Sequence, residues 1–268
     1  MSYFSGTIYS EELMLQTQLC VILPQDTVKY HSGALRGGNR NDRPPKTLIL
    51  LHGLSSAASS WMRFTSIERY AEEYGIAVVM PEVQRSYYQD MKNGLRYFSY
   101  IANELPVLLN RMFHLSTAGE DVAVAGSSMG GYGALRCAFT YPEKFGTVGA
   151  FASGCDVYEH LKRSFAAGPN TVLAHDARGV FGETPVVEPE SDLWLLAEKM
   201  KEKGNLPRIF LTSGASDYLY PDNKRFREML AEKEIPFTYE EWPGIHEWRF
   251  WDESLVKLLA FCYPDIAK

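Results

Sequence analysis

The pentapeptide Gly126-Ser127-Ser128-Met129-Gly130 holds a serine between two glycines two residues away on either side. Before it, Asp121–Ala125 reads as a buried strand; after it, Tyr132–Tyr141 reads as a helix that stops before Pro142. A serine on such a strand-to-helix turn sits in strained backbone, and the flanking chain comes so close that a Cβ would collide. Glycine at 126 and 130 removes those atoms. Gly131, Gly133 and Ala134 then let the helix approach the sheet. The plainer alternatives are a turn that serves only compactness or one that cradles a phosphate. The chain has neither a Walker lysine nor a GxGxxG spacing here. Ser128 is therefore read as the nucleophile of an acyl-transfer reaction.

A serine hydroxyl needs a positioned base. Where the serine follows a strand in this way, the acid and then the histidine come from later strand ends. His175 and His246 lie late enough in the chain. His246, in Pro243-Gly244-Ile245-His246-Glu247-Trp248, falls between the last strand and the last helix, on the same sheet edge as the serine turn. The reactive form needs this imidazole neutral, so turnover is expected to fall on acidification. Two acids follow the strand Ile209–Thr212. Asp222 has a second explanation as the cap of a helix beginning near Asn223, so Asp217 is favoured. Backbone amides must meet the developing oxyanion: Met129 supplies one, and the loop His52-Gly53-Leu54 supplies the other from Gly53 or Leu54, with Leu54 preferred. His52 itself reads as structural, orienting that loop.

Short apolar runs alternate with helical stretches along most of the chain. Gln16–Leu23, Thr47–Leu51, Ile76–Met80, Val122–Ala125, Thr147–Ala152, Ile209–Thr212 and Phe237–Glu241 have strand length and strand composition. Phe64–Tyr74, Tyr97–Phe113, Gly130–Tyr141 and Asn223–Lys233 have helical spacing, and a last helix carries the stripe Trp251, Leu255, Leu258, Leu259, Cys262. This rhythm predicts an α/β class with a mostly parallel central sheet and helices on both faces. Gly33–Pro45 reads as a surface loop. The rhythm breaks near 155–207, where about fifty residues join two strands. This insertion is read as cap-like, over the active site. At its end a helix with Leu193, Leu196, Ala197 and Met200, capped by Ser191, packs on the body. The insertion's many charges argue against the broad apolar lid of an interfacial lipase.

The chain has 268 residues, 46% hydrophobic and 22% charged, with net charge −6. That suits one domain over 1–268 and weighs against nucleic acid or an anionic membrane as partner. No basic leader opens the chain and no stretch approaches about 18 apolar residues, so a cytoplasmic protein is expected. Cys20, Cys137, Cys155 and Cys262 have no metal spacing, and Cys20, Cys137 and Cys262, in apolar segments, read as buried free thiols. The oligomeric state is left open.

Taken together, Leu50–Trp61, Gly94–Pro106, Gly126–Phe145, Thr212–Asn223 and Gly244–Asp252 resemble the esterase D and tributyrin-esterase group of α/β-hydrolases, in the group's order and across almost the whole chain. The resemblance implies an α/β-hydrolase fold and the roles argued above: Ser128, Asp217 and His246 as triad, with Leu54 and Met129 as oxyanion donors. It also sets Trp61 and Tyr97, beside Gly53, near the substrate pocket. The expected activity is hydrolysis of short-chain carboxylic esters through an acyl-enzyme, with a small-molecule substrate and no cofactor or metal. S-Formylglutathione hydrolases and feruloyl or acetyl esterases of polysaccharide belong to the same group. The glutathione enzymes usually have histidine before the serine, where this chain has Ser127, which weakens that assignment. An acyltransferase, or an inactive binding protein on the same fold, are the rivals of another class.

Overall fold

The computed structural model describes residues 1–25 and 44–264. The expected loop at Gly33–Pro45 therefore lies, up to residue 43, outside the described residues. Two antiparallel strands, β1 (Ser2–Ser10) and β2 (Leu15–Leu23), open the chain. Then follow β3 (Thr47–Leu51), α1 (Ser60–Phe64), α2 (Ile67–Tyr74), β4 (Ala77–Pro81), a helical turn α3 (Tyr97–Ser99), a π segment (Tyr100–Glu104) and α4 (Leu105–Phe113). The serine turn joins β5 (Val122–Ser127) to α5 (Met129–Thr140), and β6 (Thr147–Phe151) leads into the insertion helices α6 (Val157–Ala166), α7 (Val172–Phe181) and α8 (Leu193–Lys203). The chain closes with β7 (Arg208–Gly214), α9 (Tyr220–Glu232), β8 (Thr238–Trp242) and α10 (Trp248–Cys262).

The eight strands form one sheet in the order β1-β2-β4-β3-β5-β6-β7-β8, with β1 and β2 antiparallel and the remainder parallel. Alternation along each strand sends successive side chains to opposite faces. Ile49, Leu51, Val124, Val148, Ile209 and Leu211 pack on one face against α4, α5, α8 and α9. Leu48, Leu50, Ala123, Ala125, Phe151 and Phe210 pack on the other against α1, α2 and α10. Both faces are covered, which is why the strands read as apolar runs. Register aligns the carboxyl ends: Leu51 pairs with Gly126, Ser127 with Phe151, Phe151 with Thr212 and Gly214 with Trp242. The loops that follow these residues therefore open on one edge. No described helix is long and apolar enough to cross a membrane.

Three local expectations are corrected. The stretch Phe64–Tyr74 is not one helix: Thr65 is extended, its hydroxyl donating to Trp61 O at 2.5 Å and accepting from Ile67 N at 3.2 Å, so α1 ends at Phe64 and α2 starts afresh. The stretch Tyr97–Phe113 is interrupted by the π segment. Pro106 has no N–H to give the carbonyl four residues back, and the freed Ala102 carbonyl accepts from Lys144 Nζ at 3.2 Å. Finally, α8 is capped by Asp192, whose carboxylate accepts from Trp194 N at 2.9 Å, and not by Ser191. Leu193, Leu196, Ala197 and Met200 are buried as expected, and all four cysteines are buried and unpaired. Burial pushes the Cys137 and Cys262 thiols up to about 12.

Candidate active site

The turn between β5 and α5 puts Ser128 at φ 56° and ψ −121°, a left-handed backbone that a serine adopts only when its surroundings impose it. They do so through the main chain. Ser128 N donates to Phe151 O at 2.9 Å, and Ser128 O accepts from Gly131 N at 3.1 Å and Gly154 N at 2.9 Å. A Cβ on Gly126 would lie 2.5 Å from the Gly130 carbonyl and 2.7 Å from Leu51 O, and a Cβ on Gly130 would strike Leu51 O as well. Larger residues at 126 or 130 would therefore push β3, β5 and α5 apart.

From this turn the Ser128 hydroxyl reaches His246 Nε2 at 2.9 Å, and His246 Nδ1 lies 2.8 Å from Asp217 Oδ2. A carboxylate can only accept, so Nδ1 carries the imidazole proton and donates to Asp217. Nε2 then presents its lone pair to the serine hydroxyl. The Asp217 side chain is fully buried, and its other oxygen accepts from Leu219 N at 2.8 Å. The structure thus brings together Ser128, His246 and Asp217. Asp222 is elsewhere. Contrary to the cap reading, α9 begins three residues earlier, at Tyr220, and Asp222 lies in its first turn. There its buried carboxylate accepts from Arg163 at 2.5 Å and Arg225 at 2.8 Å. His175 is exposed on α7, beside Arg178 at 3.3 Å.

The loop after β3 runs next to the turn: a Cβ on Gly53 would sit 3.5 Å from Ser128 Cβ. His52 is buried and holds this loop. Its Nε2 accepts from Val83 N at 3.1 Å, leaving Nδ1–H to donate to Gly53 O at 2.9 Å. Glu82 lies 3.2 Å from the same Nε2, but a nitrogen that accepts from Val83 has no proton to offer it. The Glu82 carboxylate is satisfied by the Ala58 and Gln84 amides at 2.9 and 2.7 Å. Met129 is the first residue of α5, whose N–H has no acceptor within the helix. Among the described residues neither it nor the Leu54 amide has a protein acceptor. Trp61 and Tyr97, expected at the pocket, are in the core instead: Trp61 is fully buried with Nε1 donating to Leu51 O at 3.1 Å, and Tyr97 is 3% exposed.

Several neighbours of the site were not singled out by the sequence. Tyr218, largely exposed, sets its ring edge to His246 with centroids 4.7 Å apart, and Trp251 does the same from below at 5.0 Å. Position beside Asp217 was the available signal for Tyr218. The loop after β4 holds Gln84, Tyr87 and Tyr88 at φ 52°, 50° and 51°, a strain that tyrosine does not advertise. Tyr87 donates to Gly154 O at 2.7 Å and stacks on His160 of α6, centroids 4.1 Å apart; Tyr88 donates to His52 O at 2.9 Å. Burial, with the nearby Arg163 and Arg85 charges, lowers His160 to about 4, so this imidazole is neutral. Arg85 binds Asp176 of α7 at 2.6 Å and donates to Leu54 O at 3.2 Å, tying the insertion to the loop after β3. Among the described residues no group of three or more His, Cys, Asp or Glu is placed to hold a metal ion. A cavity of about 500 Å³ lined by Lys46, Asp121, Thr147 and Arg208 lies at the amino ends of the strands, away from Ser128.

Comparison with known proteins agrees with this geometry. The family described as "Putative esterase" matches residues 12–262. An acetyl esterase of Caldicellulosiruptor saccharolyticus is 28% identical over 264 residues, 96% of each chain. The structure of the fluorophosphonate-binding serine hydrolase F of Staphylococcus aureus, substrate bound, superposes with a TM-score of 0.84 at 30% identity, covering 100% of this chain and 99% of its own. An S-formylglutathione hydrolase of the same organism superposes at 0.82 with 31% identity, covering 98% of both chains. With a family match over nearly its whole length and the α/β sheet of serine hydrolases, this chain belongs to that esterase family and is a serine esterase acting on carboxylic esters.

Proposed function

We propose that the chain is one domain that hydrolyses short-chain acyl esters in solution through an acyl-enzyme on Ser128. The observation that carries this reading is the unbroken line of hydrogen bonds from Ser128 Oγ through His246 to buried Asp217, at 2.9 and 2.8 Å. His246 Nε2 takes the Ser128 proton as Oγ attacks the ester carbonyl. Asp217 fixes the tautomer and stabilises the imidazolium that forms. The tetrahedral oxygen lies against the Met129 and Leu54 amides, already unpartnered and aimed by the strained turn and the His52 loop. Collapse expels the alcohol, which takes its proton from His246. Water then enters along the same path, gives a proton to His246 as it attacks the acyl carbon, and collapse releases the acid while His246 returns that proton to Ser128 Oγ. No cofactor or metal takes part.

The short-chain preference rests on the insertion. Its charges are engaged in pinning it down, Arg163 on Asp222, Asp176 on Arg85 and Glu188 on Lys92 at 2.8 Å. A roof tied to the body chiefly through buried Asp222 and through Arg85 bounds the acyl site instead of swinging open onto lipid. Each methylene that fits adds about 0.8 kcal/mol, and one that does not fit forfeits this and adds strain. A series of p-nitrophenyl esters of rising acyl length, measured below and above saturation, tests the reading. The expected result is an optimum at short chains and no rate jump at the solubility limit. An optimum at long chains with interfacial activation would overturn it.

A further inference from the structure

The two edges of the sheet are unlike. β8 is five residues long and carries Glu240 and Glu241, with Lys257 of α10 held on Glu240 at 2.5 Å. A short charged edge resists pairing with another strand. β1 is nine residues long, Ser-Tyr-Phe-Ser-Gly-Thr-Ile-Tyr-Ser, with no charge and no proline, and among the described residues only one of its sides is paired. Tyr3 to Thr7 and Tyr9 are exposed. The strand is firmly held, because the Glu104 carboxylate accepts from Ser10 Oγ and the Glu11 and Glu12 amides at the turn into β2. In a chain of net charge −6, this is the stretch of edge where a second copy meets no like charge.

We propose that β1 pairs antiparallel with β1 of a second copy about Gly6, joining two sheets into one across a two-fold axis. The strand is self-complementary about that residue. Ser2 falls opposite Ser10 of the second copy, Tyr3 opposite Tyr9, Phe4 opposite Ile8 and Ser5 opposite Thr7. Opposed residues in an antiparallel pair share a face. Phe4 and Ile8 lie on the α4 face, Phe4 with its ring 6.4 Å from Phe113 and Ile8 against the core, so an aromatic meets a β-branched residue there. Tyr3 and Tyr9 lie on the other face, where Tyr3 donates to Cys20 Sγ at 3.4 Å, so two aromatic rings meet. A two-fold pairing centred on Ser5 would oppose Phe4 to glycine, and one centred on Thr7 would oppose Ile8 to glycine. Like meets like only about Gly6. Within one copy nothing demands glycine at that position, since a Cβ there would meet no atom within 4 Å. Such an isologous contact is the commonest oligomeric form. One added strand pair is a small contact, so the dimer proposed is a weak and reversible one.

Sedimentation velocity from low to several hundred micromolar tests this, beside hydrogen exchange of the 2–10 segment at the two extremes. The expected results are reversible dimerisation of the unaltered chain and protection of β1 amides that grows with concentration. Ser5→Lys with Thr7→Lys opposes like charges in this register and should raise the dissociation constant by at least about 100-fold. Ser5→Lys with Thr7→Glu opposes unlike charges and should stay within about tenfold of the unaltered chain. Neither position touches the active site, so both variants should keep their ester turnover, which reports that they fold. A monomer at every concentration, β1 exchange independent of concentration, or an equal effect of the two double variants would overturn the proposal.

Discussion

At the scale of single residues the site divides into groups that react and groups that only resemble them. Ser127 and Ser128 are adjacent, yet Ser127 Oγ is buried without a hydrogen-bond partner while Ser128 Oγ faces His246. Ser128→Ala should lower turnover by about 10⁴-fold or more. Ser127→Ala should change it by no more than a few-fold, because the hydroxyl it removes touches no reacting atom. Steady-state kinetics on a soluble acetate ester separates the two. The aspartates divide in the same way. Asp217→Asn should lower turnover strongly by disturbing the imidazole tautomer. Asp222→Asn removes the charge between Arg163 and Arg225 and should cost about 1.5–3 kcal/mol of stability, read by urea unfolding, with a much smaller effect on turnover. Ser128 and His246, which touch in the structure, are marked by the strand ends that they follow, whereas chain order leaves Asp217 and Asp222 both open and Asp217 is favoured by reading Asp222 as a cap, which the start of α9 at Tyr220 corrects. Tyr87 and His160 were not legible, because stacking of one ring on another leaves no spacing signal, and Tyr218 was marked only by its place beside Asp217.

Among elements, the boundaries of β3, β5 and α5 were readable from apolar runs and from the glycines, whereas the breaks at Thr65 and Pro106 depended on a side-chain hydrogen bond and on a lysine from the turn after α5. The loop after β4 was the least legible element and is the one that holds His52, which precedes the proposed oxyanion donor Leu54. Tyr88 joins it to His52 O. Tyr88→Phe removes that tether and should lower kcat about tenfold, equivalent to about 1.4 kcal/mol, with KM little changed, since in the proposed mechanism the Leu54 amide meets charge that develops only in the transition state. A rise in KM at constant kcat would count against the positioning role. The insertion offers a pH test. His160 of α6 is held near 4, below the ordinary 6.5, by burial first and then by Arg163 and Arg85. Between about 4 and 6.5 the unfolded chain therefore binds more protons at this site than the folded one, so stability falls as pH drops through that window. Above it the contribution is complete. His160→Gln should flatten the slope of unfolding free energy against pH in that window by up to about 1.4 kcal/mol per pH unit. Urea titrations at pH values across and above the window measure it.

For the whole molecule, alternation of strands and helices was enough to predict a parallel sheet covered on both faces, but not the strand order. The antiparallel hairpin β1–β2 extends the sheet beside β4, and β1 shows no clean apolar alternation because exposed Tyr3 and Tyr9 fall on one of its faces and exposed Phe4 on the other. Register does the functional work: pairing of Leu51 with Gly126 and of Gly214 with Trp242 brings the loops bearing Leu54, Ser128, Asp217 and His246 to one sheet edge from four separate parts of the sequence. The account stands on covalent catalysis at that edge. Its most direct test is a rapid acid quench during turnover of p-nitrophenyl acetate, followed by peptide mass analysis. The account predicts a burst of p-nitrophenol stoichiometric with enzyme and one acetyl group on Ser128, both abolished by Ser128→Ala. Acetyl on Ser127, or turnover with no acylated serine, would contradict it.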